Sequence, residues 1–401
     1  MNLLTISSLY PNNIDQKHGI FVETRLRHLL HSAPEITSTV IAPVPWFPFQ
    51  STLFGEYARF ANVHKKEIRH GVTIYHPKYL VLPKIGMYIT PYIMGWAIKR
   101  MIKKLINQGH KIDLIDGHYF FPDGIAIAIA AKKFNLPFTC TARGTDINLI
   151  PQYPRALKLI KKVFEQASHM MTVCQALKDE MLTLGVKNEQ VTVLRNGVDL
   201  NTFKLSTEDE QQTLKDNLGI KSRLIVSVGW LIERKGHHLV IEAMQHINDA
   251  TLIIIGDGPE HQSLKALVEK YQLDEKVTFL GAKTQEEVSR WFQAADCTVL
   301  ASSREGWANV LLESMASGTS VVATKVWGTP EVVATEEAGV LVERNSLSIA
   351  QGIEDVLSNN ISRKKTREYA EQFDWLSTSL GQQAIFNSIL RNTSNENTIS
   401  S

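Results

Sequence analysis

Ser303-Arg304-Glu305-Gly306-Trp307-Ala308-Asn309-Val310-Leu311-Leu312-Glu313 joins an apolar, β-prone run to a helical one. Ahead of it lies Asp296-Cys297-Thr298-Val299-Leu300-Ala301, short and apolar, which reads as a buried strand. Behind it Leu311, Leu312, Met315 and Ala316 recur at helical spacing until Gly318 stops the pattern. The stretch is therefore a strand-to-helix turn bracketed by two carboxylates. Glu305 is expected at the strand's C-terminal edge and Glu313 in the first turns of the helix. Between them lie amides near a helix N-terminus, where N–H groups are unpaired and the dipole is positive. Such a place suits a ligand with both hydroxyls and phosphate, because carboxylates accept from sugar O–H groups and amides meet anionic oxygens.

The same strand-helix alternation extends in both directions. In the first half the expected strands are Leu3–Ser8, Thr39–Ala42, Ile112–Asp116, Phe138–Thr141, His169–Val173 and Gln190–Leu194. A helix opens at Gly19, and Gly124–Ala131 reads as a buried helix of small residues. In the second half the strands are Leu224–Val228, Leu252–Ile255, Val277–Leu280, Thr298–Ala301, Ser320–Ala323 and Val340–Val342, with helices over Gly236–His246 and Pro259–Tyr271. Strands separated by helices give parallel sheets with right-handed crossovers. The polar run Leu205–Asn217 has no apolar periodicity and marks the boundary. The fold class is α/β: two doubly wound Rossmann-like domains, residues 1–205 and 206–373, facing a central cleft. Ligands of such sheets bind beyond the strand C-termini.

Bulk properties agree with this picture. A chain of 401 residues exceeds one ordinary core. Apolar residues at 44% and charged residues at 21% are those of a soluble globular protein. No apolar run approaches the ~18 residues of a membrane span, and Asn2–Ile6 starts in a strand without a basic leader. Cys140, Cys174 and Cys297 are scattered in apolar segments, which predicts reduced, buried thiols and a cytoplasmic location. No Cys/His cluster has metal-ligand spacing and no Asp-x-Asp occurs, so neither a metal nor a cofactor is expected. The net charge of +2 hides an asymmetry: residues 1–200 hold 24 Lys/Arg and 14 Asp/Glu (+10), and residues 201–401 hold 19 and 27 (−8). A basic half joined to an acidic half suggests two surfaces with different partners.

The Glu305 and Glu313 spacing, with Gly306 directly after the first acid, resembles the retaining GT-B glycosyltransferases of family 4. So does the downstream run Gly318-Thr319-Ser320-Val321-Val322-Ala323 followed by Gly328-Thr329-Pro330-Glu331. Gly229-Trp230-Leu231-Ile232-Glu233-Arg234-Lys235-Gly236 matches the family's Gly-Arg-Leu…Lys-Gly pattern at Lys235-Gly236 and departs from it at Trp230. The resemblance implies that Lys235 meets the departing diphosphate, whose negative charge grows as the glycosidic bond breaks. Either Arg234 supplies the missing second cation or Trp230 stacks on the donor. Glu313 is implied to hold the ribose. Glu305, with the amides of Gly306, Trp307, Ala308, Asn309 and Val310, is implied to hold the donor sugar. The family's C-terminal helix, here residues 374–392 after Phe373-Asp374-Trp375, crosses back onto the first domain, and 393–401 is expected to be a disordered tail.

Further motifs lie outside that stretch. Gly256-Asp257-Gly258-Pro259 ends a strand as a turn, with Pro259 expected at the first helical position. Asp116-Gly117-His118-Tyr119 ends a strand of the first domain, and by resemblance His118 contacts the donor sugar near its reacting carbon. Arg143 and Asp146 either form an ion pair that shapes their loop or touch substrate hydroxyls. Gly19, after His18, would let backbone approach the diphosphate. Asn196-Gly197-Val198-Asp199 reads as a tight turn. Pro45-Trp46-Phe47-Pro48-Phe49 is an aromatic loop, and Tyr79–Lys104 mixes apolar residues and Trp96 with Lys84, Lys99, Arg100, Lys103 and Lys104. The latter is either a core helix with a solvated basic face or a surface for an anionic membrane.

These features predict a metal-independent glycosyltransferase, hexosyltransferase-like, of the surface-polysaccharide type. It would move sugar from a UDP- or GDP-sugar to a glycan or lipid-linked acceptor, in the cytoplasm or at the inner face of the plasma membrane. No nucleic acid is expected as partner. Two rival readings are a nucleotide-sugar epimerase on the same fold, which would draw on Asp116 and Asp146, and a non-catalytic scaffold, suggested by Trp230.

Overall fold

The computed structural model of the protein describes residues 1–46, 60–81, 86–359 and 361–399. The chain divides into two compact units, Met1–Leu194 together with Leu376–Ser401, and Arg195–Trp375.

The first unit carries β1 (Asn2–Ile6), β2 (Thr37–Ile41), β3 (Val44–Trp46), β4 (Lys66–Arg69), β5 (Val72–Tyr75), β6 (Lys78–Leu80), β7 (Leu114–His118), β8 (Phe138–Ala142), β9 (His169–Thr172) and β10 (Val191–Val193). Eight of them form one sheet in the order β10-β9-β8-β7-β1-β2-β5-β4, and β3 and β6 pair separately. Every pairing in the large sheet is parallel except β4 with β5. From β1 the chain builds outward through β2 and then returns to β7 on the other side. The reversal creates a crevice at the C-terminal ends of β1 and β7, the usual ligand position in such sheets. Leu3, Val40, Ile74 and Leu114 pack against Val22, Leu26 and Leu29 of the helix Ile20–Ser32. Phe386 and Ile389 of the last helix, Trp375–Ile399, join the same core. Burying Phe386 completely contributes about 2–3 kcal/mol, which fixes that helix on this unit.

The second unit carries β11 (Arg223–Val228), β12 (Ala250–Ile255), β13 (Val277–Phe279), β14 (Cys297–Leu300), β15 (Val321–Thr324) and β16 (Gly339–Val342). Its all-parallel sheet has the order β13-β12-β11-β14-β15-β16, with the reversal between β11 and β14. These strands are near-continuous Val/Ile/Leu runs because both faces are covered. Ile225, Leu252, Ile254, Val299 and Val322 pack with Val240, Ile241, Leu264 and Ile353 from the helices. Each unit is thus a Rossmann-like α/β domain, as predicted.

Several expectations change. Leu205–Asn217, read as a boundary without apolar periodicity, contains a helix: Thr207 caps Glu208–Asn217, with its side chain accepting from the Glu210 amide and the Glu210 carboxylate accepting from the Thr207 amide. That helix lacks an apolar face because polar groups hold it. Gln211 Nε2 donates to the Ala295 carbonyl at 2.9 Å and Lys215 Nζ lies 2.6 Å from Asp296 Oδ2. The division between the units falls at Leu194 and Arg195. Backbone is helical to Ile399, over residues expected to be a disordered tail. Pro259 precedes the helix His261–Lys270 and lies in the turn before it. Residues 196–199 form a seam more than a turn: the Val198 amide donates to the Phe373 carbonyl at 3.0 Å, and Asn196 Nδ2 to Asn309 Oδ1 at 3.2 Å. Phe47, Pro48 and Phe49 of the expected aromatic loop, and Lys84, lie outside the described residues. Among the described residues, no helix is long and apolar enough to cross a membrane.

Candidate active site

The loops that leave β11 and β14 meet at the second sheet's reversal. Gly236 has a left-handed φ of 72°, and a Cβ there would lie 2.1 Å from the Ala301 carbonyl oxygen, so only glycine lets the two loops close. The Ser303 amide donates to the Arg234 carbonyl at 2.8 Å. Arg344 Nε donates to the Ala301 carbonyl at 3.1 Å and its Nη2 to the Glu233 carbonyl at 3.1 Å. The loops therefore behave as one body.

On that body the side chains converge on one oxygen. Lys235 Nζ lies 2.6 Å from Glu305 Oε1, Ser302 Oγ donates to it at 2.7 Å, and Arg234 Nη1 is 3.5 Å away. Arg234 Nη1 also donates to the Arg304 carbonyl at 2.8 Å. Burial by itself would push the Glu305 carboxyl up, but Lys235, Arg234 and Ser302 outweigh it and hold the carboxyl below its ordinary value. Among the described residues no hydrogen bond reaches Glu305 Oε2, which leaves that oxygen to accept from a ligand.

Beyond Glu305 the chain enters the helix Asn309–Ala316, whose N-cap Ala308 makes no side-chain cap. The Asn309 amide donates to the Trp307 carbonyl at 3.1 Å and that of Leu311 to Ala308 at 3.0 Å, and the helix dipole is positive at this end. Trp307 is expected to offer its amide. It is 7% exposed, with Nε1 donating to the Asn196 carbonyl at 3.1 Å and its ring 5.8 Å from Phe373, so it offers backbone and not a stacking surface. Glu313 is half-buried, and burial pushes its carboxyl up to about 7. Trp230 is 53% exposed.

The first unit's crevice is built differently. His118 ends β7 and is buried. Its Nε2 lies 3.2 Å from Asp116 Oδ2, and Arg143 Nη2 lies 2.8 Å from its Nδ1. Both ring nitrogens are thus committed inside the protein. Burial, then the charges of Arg143 and Arg25 against that of Asp116, brings the imidazole down to about 4. Arg143 directs its guanidinium at His118 and the face of Phe21, 5.4 Å away. Asp146 instead receives the amides of Phe120 at 2.9 Å, Gly144 at 2.8 Å and Arg143 at 3.1 Å. The carboxylate of Asp146, fully buried, shapes the loop through backbone and does not face a substrate. Gly19, at φ 64°, lies so close to the Leu9 carbonyl that a Cβ would come within 2.2 Å, so its close approach is to the chain itself.

Sequence reasoning passed over Ser302, Arg344, Arg25 and Gln382. Ser302 lies three residues before its partner Glu305, while the partners of the other three lie far along the chain, 266 residues for Gln382 and Asp116, where no local pattern marks them.

With this geometry in hand, similarity to known proteins becomes informative. Residues 34–202 match the family described as Glycosyltransferase Family 4, and residues 210–373 match Glycosyl transferases group 1. A putative teichuronic acid biosynthesis glycosyltransferase, TuaC of Bacillus subtilis, is 28% identical over 88% of this chain and 88% of its own. The N-acetyl-alpha-D-glucosaminyl L-malate synthase of Bacillus anthracis is 26% identical over 76% of this chain and 81% of its own. Among solved structures, sucrose-phosphate synthase from Thermosynechococcus elongatus superposes with a TM-score of 0.80 at 19% identity, covering 98% of this chain and 100% of that one. Anabaena HepE in complex with UDP gives 0.71 at 20% identity over 96% and 99%. The fold and its family matches define a glycosyltransferase of the GT-B class. More particularly, the chain belongs to the group 1, family 4 glycosyltransferases.

Proposed function

We propose that the protein transfers a hexose from a nucleotide-diphosphate sugar to a glycan or lipid-linked acceptor, with retention and without a metal, in the assembly of a surface polysaccharide. The observation that carries this reading is the Lys235–Glu305 pair at the reversal of the second sheet, beside an uncapped helix. Lys235, with Arg234, would neutralise the departing diphosphate. The amides of Gly306 to Val310 and Glu305 Oε2 would hold the donor sugar, and Glu313 the ribose. The donor's anomeric carbon–oxygen bond breaks as the acceptor hydroxyl bonds to the same face. The acceptor proton leaves on the diphosphate. His118 would serve the first unit's crevice as a fixed neutral group, since both its nitrogens are used. TuaC's name supports polymer assembly as the setting, and HepE, solved with UDP and with UDP-glucose, supports a uridine donor.

The epimerase alternative loses its acids. Asp116 accepts from Thr139 Oγ1 at 3.1 Å and Gln382 Nε2 at 2.9 Å, and Asp146 is consumed by amides. A lipid-linked acceptor is favoured by the helix Thr90–Asn107, reached through Met87 and Ile89. Tyr92 and Trp96 are 50% and 58% exposed on it, followed by Arg100 and Lys103 on the same face. Such a face suits an anionic bilayer.

A thermal-shift screen against UDP, GDP and ADP sugars, followed by nucleotide release with lipid-linked acceptors, tests the reading. Stabilisation by one nucleotide and acceptor-dependent release, lost in Glu305→Ala with the fold intact, are expected. Full transfer by that variant would end the assignment.

A further inference from the structure

The first unit contains a buried chain of polar groups in which every hydrogen can be placed without choice. Arginine is a donor only. Arg25 Nε lies 3.1 Å from Gln382, so the contacted atom of that amide is its oxygen, Oε1. The other end is then the nitrogen, and Nε2 donates to Asp116 Oδ2 at 2.9 Å. At the far end, Arg143 Nη2 lies 2.8 Å from His118 Nδ1, so Nδ1 is the acceptor and carries no proton. The ring proton sits on Nε2, 3.2 Å from Asp116 Oδ2. Thr139 Oγ1 holds the other Asp116 oxygen at 3.1 Å. Arg25 is itself anchored, with Nη1 donating to the Leu194 carbonyl at 3.0 Å. Arg25, Asp116, His118 and Gln382 are each 1% exposed, so water cannot take over any of these bonds.

We propose that the C-terminal helix, through Gln382, fixes the proton and the ring plane of His118, which makes Gln382 a positioning residue for the crevice at β1 and β7. Two arginines set the direction of the chain, and Gln382 brings the last helix into it. Asp116 takes donors from three residues, and losing the one from Gln382 frees it to rotate away from the ring. The charged groups facing the imidazole are Asp116, Arg143 and Arg25.

Imidazole proton–nitrogen correlation spectra of the whole nitrogen-15-labelled protein test this. In the unmodified chain His118 should show a single neutral form protonated at Nε2, unchanged from about pH 6 to 8. Gln382→Leu removes both bonds of the amide. Gln382→Glu keeps the acceptor for Arg25 and loses the donor to Asp116, and it decides the matter if the leucine variant does not fold. Either substitution should give mixed tautomers or a titrating ring, and Gln382→Glu should lower kcat about tenfold with donor KM unchanged. His118 signals identical to those of the unmodified protein in the folded variants would overturn the proposal. So would altered signals with full kcat, which would remove the positioning role. The spectra do not depend on the sugar-transfer reading. Absence of transfer by the unmodified chain would count against that reading alone.

Discussion

Lys235 Nζ and Glu305 Oε1 lie 2.6 Å apart, so the cation assigned to the leaving group is matched by a carboxylate before any ligand arrives. The pair has two consequences that separate on mutation. Lys235→Met should lower kcat/KM by about 100- to 1,000-fold, the scale of losing one charge-stabilising group in a closed site. It should also destabilise the protein by ~1–3 kcal/mol, because Glu305 is buried and keeps only Ser302 and the more distant Arg234. Adding Glu305→Gln to Lys235→Met should restore most of the stability and none of the activity. Thermal denaturation and steady-state kinetics on the three variants check this.

The two bracketing glutamates should respond to pH with opposite signs. Glu305 is held below its ordinary value, so its contribution is present above that value and is lost as pH falls through the folded one. Glu313 is raised from 4.5 to about 7, so its contribution is fully present below 4.5 and is lost as pH rises through about 7. Glu313→Gln, which cannot ionise, should therefore raise Tm relative to the unmodified protein at about pH 8 and by much less at about pH 5. If the Glu313 carboxylate also accepts the ribose hydroxyls, donor binding should tighten across the same window. Equal Tm differences at both pH values would show that Glu313 ionises normally.

Sequence carried the sheets because a strand covered on both faces is a short apolar run, as in Ala250–Ile255, and such a run is visible without its neighbours. The hairpin β4–β5 escaped because its turn is His70-Gly71. Both have left-handed φ, 48° and 80°, as a hairpin turn requires, yet His-Gly is not the usual Asn-Gly signal. The helix Glu208–Asn217 escaped because a cap and polar bonds hold it in place of an apolar stripe. At the site, Lys235 was legible through the Lys235-Gly236 match and Glu305 through its spacing to Glu313, while the adjacency of β11 and β14 that joins their loops was not. Arg143 was legible as a residue and not as a partner: its contact with His118 crosses 25 residues, and only the adjacency of β7 and β8 brings the two together.

The second cation at the diphosphate is expected to be Arg234 and not the residue at 230. Arg234 is within 3.5 Å of Glu305 and tied to the Arg304 carbonyl, so its guanidinium is already placed beside Lys235. Trp230 is largely in solvent. Arg234→Ala should weaken UDP binding about tenfold, the worth of one charge-assisted contact. Trp230→Ala should change it less than about threefold and leave stability within ~0.5 kcal/mol. Calorimetric titration at low and high salt checks this, with the Arg234 effect shrinking as salt screens it. A larger loss at Trp230 would instead favour stacking on the donor.

Stability of the second unit should depend on a residue remote from chemistry. Arg363 places its guanidinium among main-chain carbonyls: Nε donates to Ser206 at 3.2 Å, Nη1 to Ala295 at 3.0 Å, and Nη2 to Gln293 at 2.8 Å and Ser317 at 2.9 Å. The Ser206 hydroxyl takes a further bond at 2.9 Å. Burial brings the guanidinium down to about 10, still charged at neutral pH. Its four carbonyl acceptors lie on segments that share no ladder, so the side chain joins 206, 293–295 and 317 where strands do not. Arg363→Met keeps the stem and orphans the Ser206 and Ser317 carbonyls, while Ala295 keeps Gln211 and Gln293 keeps the Ser206 hydroxyl, at a cost of ~3 kcal/mol. Arg363→Lys should recover little, since one ammonium cannot reproduce the planar fork. Below the lowered melting transition both variants should bind UDP as the unmodified protein does. A lysine variant as stable as the arginine would show that charge alone, and not the fork, holds these segments.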